Sequence, residues 1–233
     1  AFDTTMAALS VAVHQSGQGI VSSLREEMET GQAERLLPAI DQCLRSAGLP
    51  LSQIDRLIVT RGPGTFTGIR IGLAVARGLR LSAGLPVVAI SSLSAIAAAL
   101  AHRHPPAGSG FKPQRLIVAL TARGNGAFLG LFDHGGAPLA DPRQQAAHEF
   151  VSSLDRPFSY LVVGSAAHSV AAAALDSGLE ISIGPAAAAT PEAADFAHLA
   201  ESLPPSPELL PLYLREPDAK PQPPAAPTGG TAL

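Results

Sequence analysis

The chain has 233 residues, 46% of them hydrophobic and 15% charged, with a formal net charge of −3. That is enough apolar material for a sizeable core in one large domain or two lobes. It is too little positive charge for a surface that binds nucleic acid unaided, since phosphates are held chiefly by Lys and Arg.

In chain order, residues 1–13 read as strand, turn, strand, with Asp3-Thr4-Thr5 as a hydroxyl-rich hairpin tip and apolar alternation through Ala7, Leu9, Val11 and Val13. Gly17 and Gly19 turn the chain into a strand candidate at 20–24. Ala33, Leu36, Leu37, Ile40, Leu44 and Ala47 then recur at helical spacing, with Gly48 as the stop. Cys43, the single cysteine, excludes an internal disulfide and suits packing within this helix. Leu57-Ile58-Val59 reads as a buried strand running into the irregular segment Arg61-Gly62-Pro63-Gly64-Thr65-Phe66-Thr67-Gly68, and helical spacing resumes over 69–83 through Ile69, Leu73, Ala76 and Leu79. A strand at 86–90 and a helix capped by Ser91 or Ser92 follow.

The Gly, Pro and His composition of 102–112 suits a connection between lobes, so the first lobe is placed at 1–104 and the second at 105–217. In the second, 116–120, 127–132 and 160–163 read as strands, and 165–175 and 193–203 as helices. Nine prolines between 204 and 227 break regular structure, Leu209, Leu210, Leu212, Tyr213 and Leu214 anchor the first part of that segment, and 218–233 is expected to be a disordered tail. No basic leader followed by an apolar run and no span of about 18 apolar residues is present, so the expectation is a cytoplasmic protein with no membrane contact. The chain opens at Ala1 inside a strand, without Met, so residues are expected to precede it.

Two segments invite chemical readings. Asp3, Thr4 and Thr5 suit a phosphate site in which hydroxyls and backbone N–H groups surround the anion and Asp3 orients a metal-bound water, or equally a turn that stabilises the hairpin. RGPGTFTGIRIG, residues 61–72, joins a glycine-rich loop to a helix, where an anion site and a structural or partner-docking role are both open. It matches neither the Walker nor the dinucleotide pattern. The seven histidines contain no His-x-x-x-His pair, no metal site is expected, and no nucleophile motif supports a Ser-His-Asp enzyme.

RGPGTFTGIRIGLAVARGL resembles the signature of the TsaB (YeaZ) family. The surrounding features follow in that family's order: Asp3-Thr4-Thr5, Glu34-Arg35-Leu36-Leu37-Pro38, Ser91-Ser92-Leu93, and Pro211-Leu212-Tyr213-Leu214-Arg215. The resemblance implies an α/β fold of two lobes like actin, sugar kinases and heat-shock ATPases, here with a reduced second lobe. It also implies a non-catalytic subunit that binds and activates a TsaD homologue, the threonylcarbamoyltransferase that modifies tRNA beside the anticodon, together with the ATPase TsaE. On that view tRNA is reached only through the complex, no cofactor is intrinsic, a nucleotide binds only at an interface with the partner, and a homodimer forms in isolation.

Carried over by position, docking falls to the helices at 32–47 and 69–83. Leu36, Pro38, Ile69 and Leu73 are the apolar docking candidates, Gly72 and Ala76 permit close approach, and Glu34, Arg35, Arg70, Arg77 and Arg80 supply the polar rim. Thr121-Ala122-Arg123 stands where relatives have Asp-Ala-Arg, and Gln32 where many have His. The alternative is a nucleotide-binding ATPase or kinase working through Asp3, Thr4 and Thr5.

Overall fold

The first 27 residues build a three-stranded meander whose second strand is buried over most of its length. The structure, a computed structural model, describes residues 1–103, 114–122, 124, 126–175, 177–185 and 189–214. Within it β1 (Phe2–Met6), β2 (Ala8–Gln15) and β3 (Gly19–Glu27) pair antiparallel. α1 (Gln32–Ala47) leads to β4 (Leu57–Thr60) and α2 (Phe66–Ala83) to β5 (Val87–Ile90). β4 lies parallel to β1 and β5 parallel to β4, giving the order β3-β2-β1-β4-β5.

Period-2 alternation assigns the two faces. Phe2, Leu9, Val11 and Val59 meet Leu36, Ala39 and Cys43 of α1 and Ile69, Leu73 and Ala76 of α2, while Ala12, Ile58, Val88 and Ile90 face the other way. On that second face lies α3 (Ser92–Arg103), begun by Ser91, whose hydroxyl accepts from Ser94 N at 2.9 Å. Leu93, Ile96, Ala97 and Leu100 of α3 turn to a second sheet, and Ala95 packs on the first. Its run of alanines lets one helix be buried between two sheets.

The second sheet repeats the plan of the first. β6 (Arg115–Thr121), β7 (Ala127–Asp133) and β8 (Arg143–Gln145) pair antiparallel, then α4 (Ala147–Ser152), β9 (Ser159–Val163), α5 (Ala167–Ala174) and β10 (Glu180–Ile183) follow. The order β10-β9-β6-β7-β8 has the same connectivity, with β6 in the place of β1. The reduction lies in the crossover helices, 6 and 8 residues long against 16 and 18 in the first half.

Four expectations need correction. Asp3-Thr4-Thr5 is not a hairpin tip: the turn falls at Ala7, between paired Met6 and Ala8, and the three residues lie buried within β1. Phe66, Thr67 and Gly68 are not loop but the first turn of α2, capped by Thr65, whose hydroxyl accepts from Gly68 N at 3.1 Å. The helix read at 193–203 is two four-residue pieces, α6 (Ala193–Phe196) and α7 (Leu199–Ser202). These, with the strap that follows, do not join the second lobe. Phe196 packs beside Ile58 and Val88, Leu209 enters the core under α2, Ser206 N donates to Val87 O at 2.8 Å and Leu212 N to Arg61 O at 2.8 Å. The expected connection at 102–112 and the tail at 218–233 fall mostly or wholly outside the described residues, except that α3 continues through Arg103.

α2 approaches β1 more closely than any side chain permits. A Cβ on Gly68 would lie 1.8 Å from Thr4 O, whereas one on Gly78, on the outer side, meets nothing within 4 Å. Gly68→Ala is therefore expected to lose at least about 3 kcal/mol in urea unfolding, because the clash is with backbone. Gly78→Ala should gain roughly 0.5–1 kcal/mol from helix propensity. Equal effects at the two positions would refute this packing.

Candidate functional site

The hydroxyls read as a phosphate cradle are already engaged. Thr4 Oγ1 donates to Gly68 O at 2.8 Å, Thr5 Oγ1 donates to Asp3 Oδ1 at 2.7 Å, Thr60 Oγ1 also donates to Asp3 Oδ1, and Thr5 N donates to Asp3 Oδ2 at 3.3 Å. Ser92 Oγ lies 3.1 Å from Thr5 Oγ1. The backbone is closed as well: Thr65 N donates to Thr5 O at 2.7 Å, and a Cβ on Gly64 would sit 2.2 Å from that same oxygen. The glycine-rich segment thus lies where an anion would approach the strand. The structure brings Asp3, Thr5, Thr60 and Ser92 together as a buried polar knot and leaves no open cradle at Thr4 or Thr5. Sequence reading gives Thr60 no role and Ser92 only that of a cap, because contacts to Asp3 and Thr5 from so far along the chain leave no local signal. Among the described residues no three His, Cys, Asp or Glu side chains gather as a metal site.

The docking residues divide by helix phase. Leu36, Ile69, Gly72, Leu73 and Ala76 lie in the chain's own core and offer nothing to a neighbour. This corrects the expectation, and the reason is geometric: α2 carries two apolar stripes, and periodicity alone does not say which one faces the sheet. The outward side carries exposed Ala74, Gly78 and Leu81, Leu81 being 86% exposed, while Ile71 and Val75 are half-buried at its edges and pack against the core. On α1 the exposed apolar residue is Leu37, at 53%, flanked by exposed Glu34 and Pro38. Both helices cover the same face of the first sheet, so these residues form one outer surface.

The arginines expected at a partner's rim are instead tied to this chain. Arg77 donates to Leu209 O, Arg80 donates to Ser206 O at 3.3 Å and Pro207 O at 3.2 Å, and Arg70 Nε donates to Tyr213 Oη at 3.2 Å. Arg35 pairs with Glu26, which it holds below the usual carboxylate range. Phe66, 56% exposed, stacks on Tyr213 at 5.6 Å with the Arg70 guanidinium 3.6 Å above its ring. Partners more than 100 residues away in sequence leave no local trace.

A family model described as TsaD, tRNA N6-adenosine threonylcarbamoyltransferase, matches residues 7–205. The tRNA threonylcarbamoyladenosine biosynthesis protein TsaB of Haemophilus influenzae is 38% identical over 125 residues, 54% of this chain and 49% of that one. The chain belongs to the TsaD family, in its TsaB (YeaZ) branch. The corresponding TsaB of Escherichia coli is 39% identical over 97 residues, 42% of this chain and 41% of that one, so the chain spans about half the length of the curated relatives it matches. Among solved structures, YeaZ from Pseudomonas aeruginosa has a TM-score of 0.71 at 24% identity, covering 91% of this chain and 97% of that chain, which shows a shared fold. A second structure, a protein with similarity to peptidase YEAZ from the same organism, has a TM-score of 0.72 at 26% identity, over 92% and 97%. No helix among the described residues of this TsaB-branch chain is long and apolar enough to cross a membrane.

Burial pushes the Asp3 carboxyl up from 3.8 to about 6, against the opposing pull of hydrogen bonds from Thr60 and Thr5. The folded chain then holds a proton that the unfolded chain has released, so this group's contribution is fully present below about pH 4 and is lost as pH rises to about 6. Its size is about 3 kcal/mol. In urea titrations across that window, wild type should lose about this much relative to Asp3→Asn, with no further divergence above pH 7. A constant gap between the two proteins at every pH would show that Asp3 titrates normally.

Proposed function

We infer that this chain is a non-catalytic subunit of the machinery that forms threonylcarbamoyladenosine in tRNA, binding and activating a homologue of TsaD through the outer surface of α1 and α2. The observation that carries the reading is the outward stripe of α2. A helix that has satisfied its core with one apolar stripe still presents Ala74, Gly78 and Leu81 on the other side, with half-buried Ile71 and Val75 at the edges. Small residues at 74 and 78 permit a close helix crossing, and Leu37 of α1 widens the apolar area.

A homologous partner supplies matching helices, so association builds a four-helix contact in which this chain favours the partner's competent conformation by differential binding. The same surface serves a homodimer in isolation. TsaE joins as the ATPase of the complex, tRNA is held through the complex, which the net charge of −3 favours, and any nucleotide lies at the junction with the partner. A cytoplasmic location goes with that role. The closed polar knot around Asp3 weighs against the competing reading of an ATPase or kinase that works through Asp3, Thr4 and Thr5.

Sedimentation of the chain mixed with its cognate TsaD homologue tests the proposal. Wild type should associate at micromolar concentration, and Leu81→Asp or Ala74→Arg should weaken association at least about tenfold without altering the fold. No association, or normal association by both variants, would remove the docking surface. Calorimetry of the isolated chain with magnesium and ATP should show no binding, and tight binding lost in Asp3→Asn would instead restore the ATPase reading.

A further inference from the structure

A cleft of about 850 Å³ opens at the carboxyl ends of β4 and β5, on the side of the molecule away from α1 and α2. Its position is the one where parallel α/β sheets hold ligands, since strand ends, helix N-termini and the side chains that follow them converge there. Arg61 follows β4, and Ser91, which caps α3, follows β5. The far walls come from the connection between β7 and β8, through Pro138, and from α7 and the strap, through Leu199, Leu203 and Leu212.

Arg61 is the feature that the fold does not otherwise explain. Its backbone is pinned on both sides, its N donating to Ile90 O at 2.9 Å and its O accepting from Leu212 N at 2.8 Å, so the side chain leaves from a rigid point. Its Nε is out of solvent and has no hydrogen-bond partner, and among the described residues no carboxylate lies within ion-pair distance of its guanidinium. A half-buried guanidinium with unused donors, carried on a pinned backbone, fits a planar acid group bidentately. The hydroxyls of Ser91 and Ser94, 2.7 Å apart, line the same cleft, and Ile90, Ala98, Leu199 and Leu203 make its remaining walls largely apolar. Asp141 supplies the one carboxylate among the lining residues and is exposed.

We propose that this cleft binds a small amphipathic acid, an organic carboxylate or phosphate monoester whose anionic head pairs with Arg61 and whose apolar body lies along β5 and α3. The site is separate from the docking surface, and its occupation does not depend on the partner reading.

The test is a titration of the full chain, followed by backbone amide spectra, with 4-phenylbutyrate, phenyl phosphate and the neutral 4-phenylbutan-1-ol. Shifts are expected at Arg61, along Ser91 to Ala101 and in the connection between β7 and β8. At least one of the two acids should bind about tenfold more tightly than the alcohol, and the stronger of the two identifies the head group. Arg61→Gln should bring that acid down to the level of the alcohol, and Arg61→Lys should restore part of the difference. Ala101→Phe, which fills the cleft and leaves Arg61 in place, should abolish binding of all three. Equal binding of acids and alcohol, shifts elsewhere, or unchanged binding in Arg61→Gln overturns the site. If Arg61→Gln does not give a folded spectrum, Ala101→Phe decides: retained binding overturns the proposal.

Discussion

The structure turns on the contact between the start of α2 and the end of β1. Gly64 and Gly68 bring the helix so close that an added Cβ would overlap Thr5 O and Thr4 O, and a Cβ on Gly72 would lie 2.8 Å from Thr4 Oγ1. Gly64 in the loop before the helix, and Gly68 and Gly72 one turn apart on it, leave one side bare, and the strand lies against it. From that one approach follow the closure of the Asp3 knot, the choice of which α2 stripe is buried, and the direction in which the other stripe points. A fold that could bind an anion between loop and strand has instead sealed the place with its own backbone.

The second half uses the same device. Gly164, which follows β9 as the glycine-rich segment follows β4, has φ +105°, and a Cβ there would lie 2.2 Å from Ala119 O. Ala166 N donates to Ala119 O at 3.0 Å, as Thr65 N donates to Thr5 O in the first half. Ser165 Oγ accepts from Thr121 N at 2.8 Å, at the position where the resemblance expects a carboxylate. The two lobes therefore share a packing solution at their strand-to-helix junctions as well as a strand order, although their residues at the junction differ.

Much of this was legible in the sequence, and the gaps have physical causes. α1, α2, α3 and the long strands announce themselves through periodicity, and Gly48 ends α1 as expected, as Gly84 does α2. β8 is three polar residues, Arg143–Gln145, and α4 and β10 are too short for a period to register. The duplication is invisible because its halves are more than 100 residues apart and agree in connectivity rather than in residue identity. At the surface, the family resemblance names two helices but cannot supply their rotation: Leu36 and Ala76 are core residues, whereas Leu37 and Ala74 face outward. Arg70, Arg77 and Arg80 look like rim charges until the strap that they hold is seen.

That strap has a bearing on how the molecule comes to be. The first sheet is assembled from residues 2–90, yet one of its faces is completed by Ala193, Phe196 and the residues around them, and its other core by Leu209. Arg56 holds the same returning segment through Ala200 O at 2.7 Å and Leu203 O at 2.9 Å. On a ribosome the amino-terminal lobe therefore emerges with part of its apolar surface uncovered and stays so until residues 193–209 have been made. The two lobes are not independent foldons that meet late, because the end of the second is part of the first.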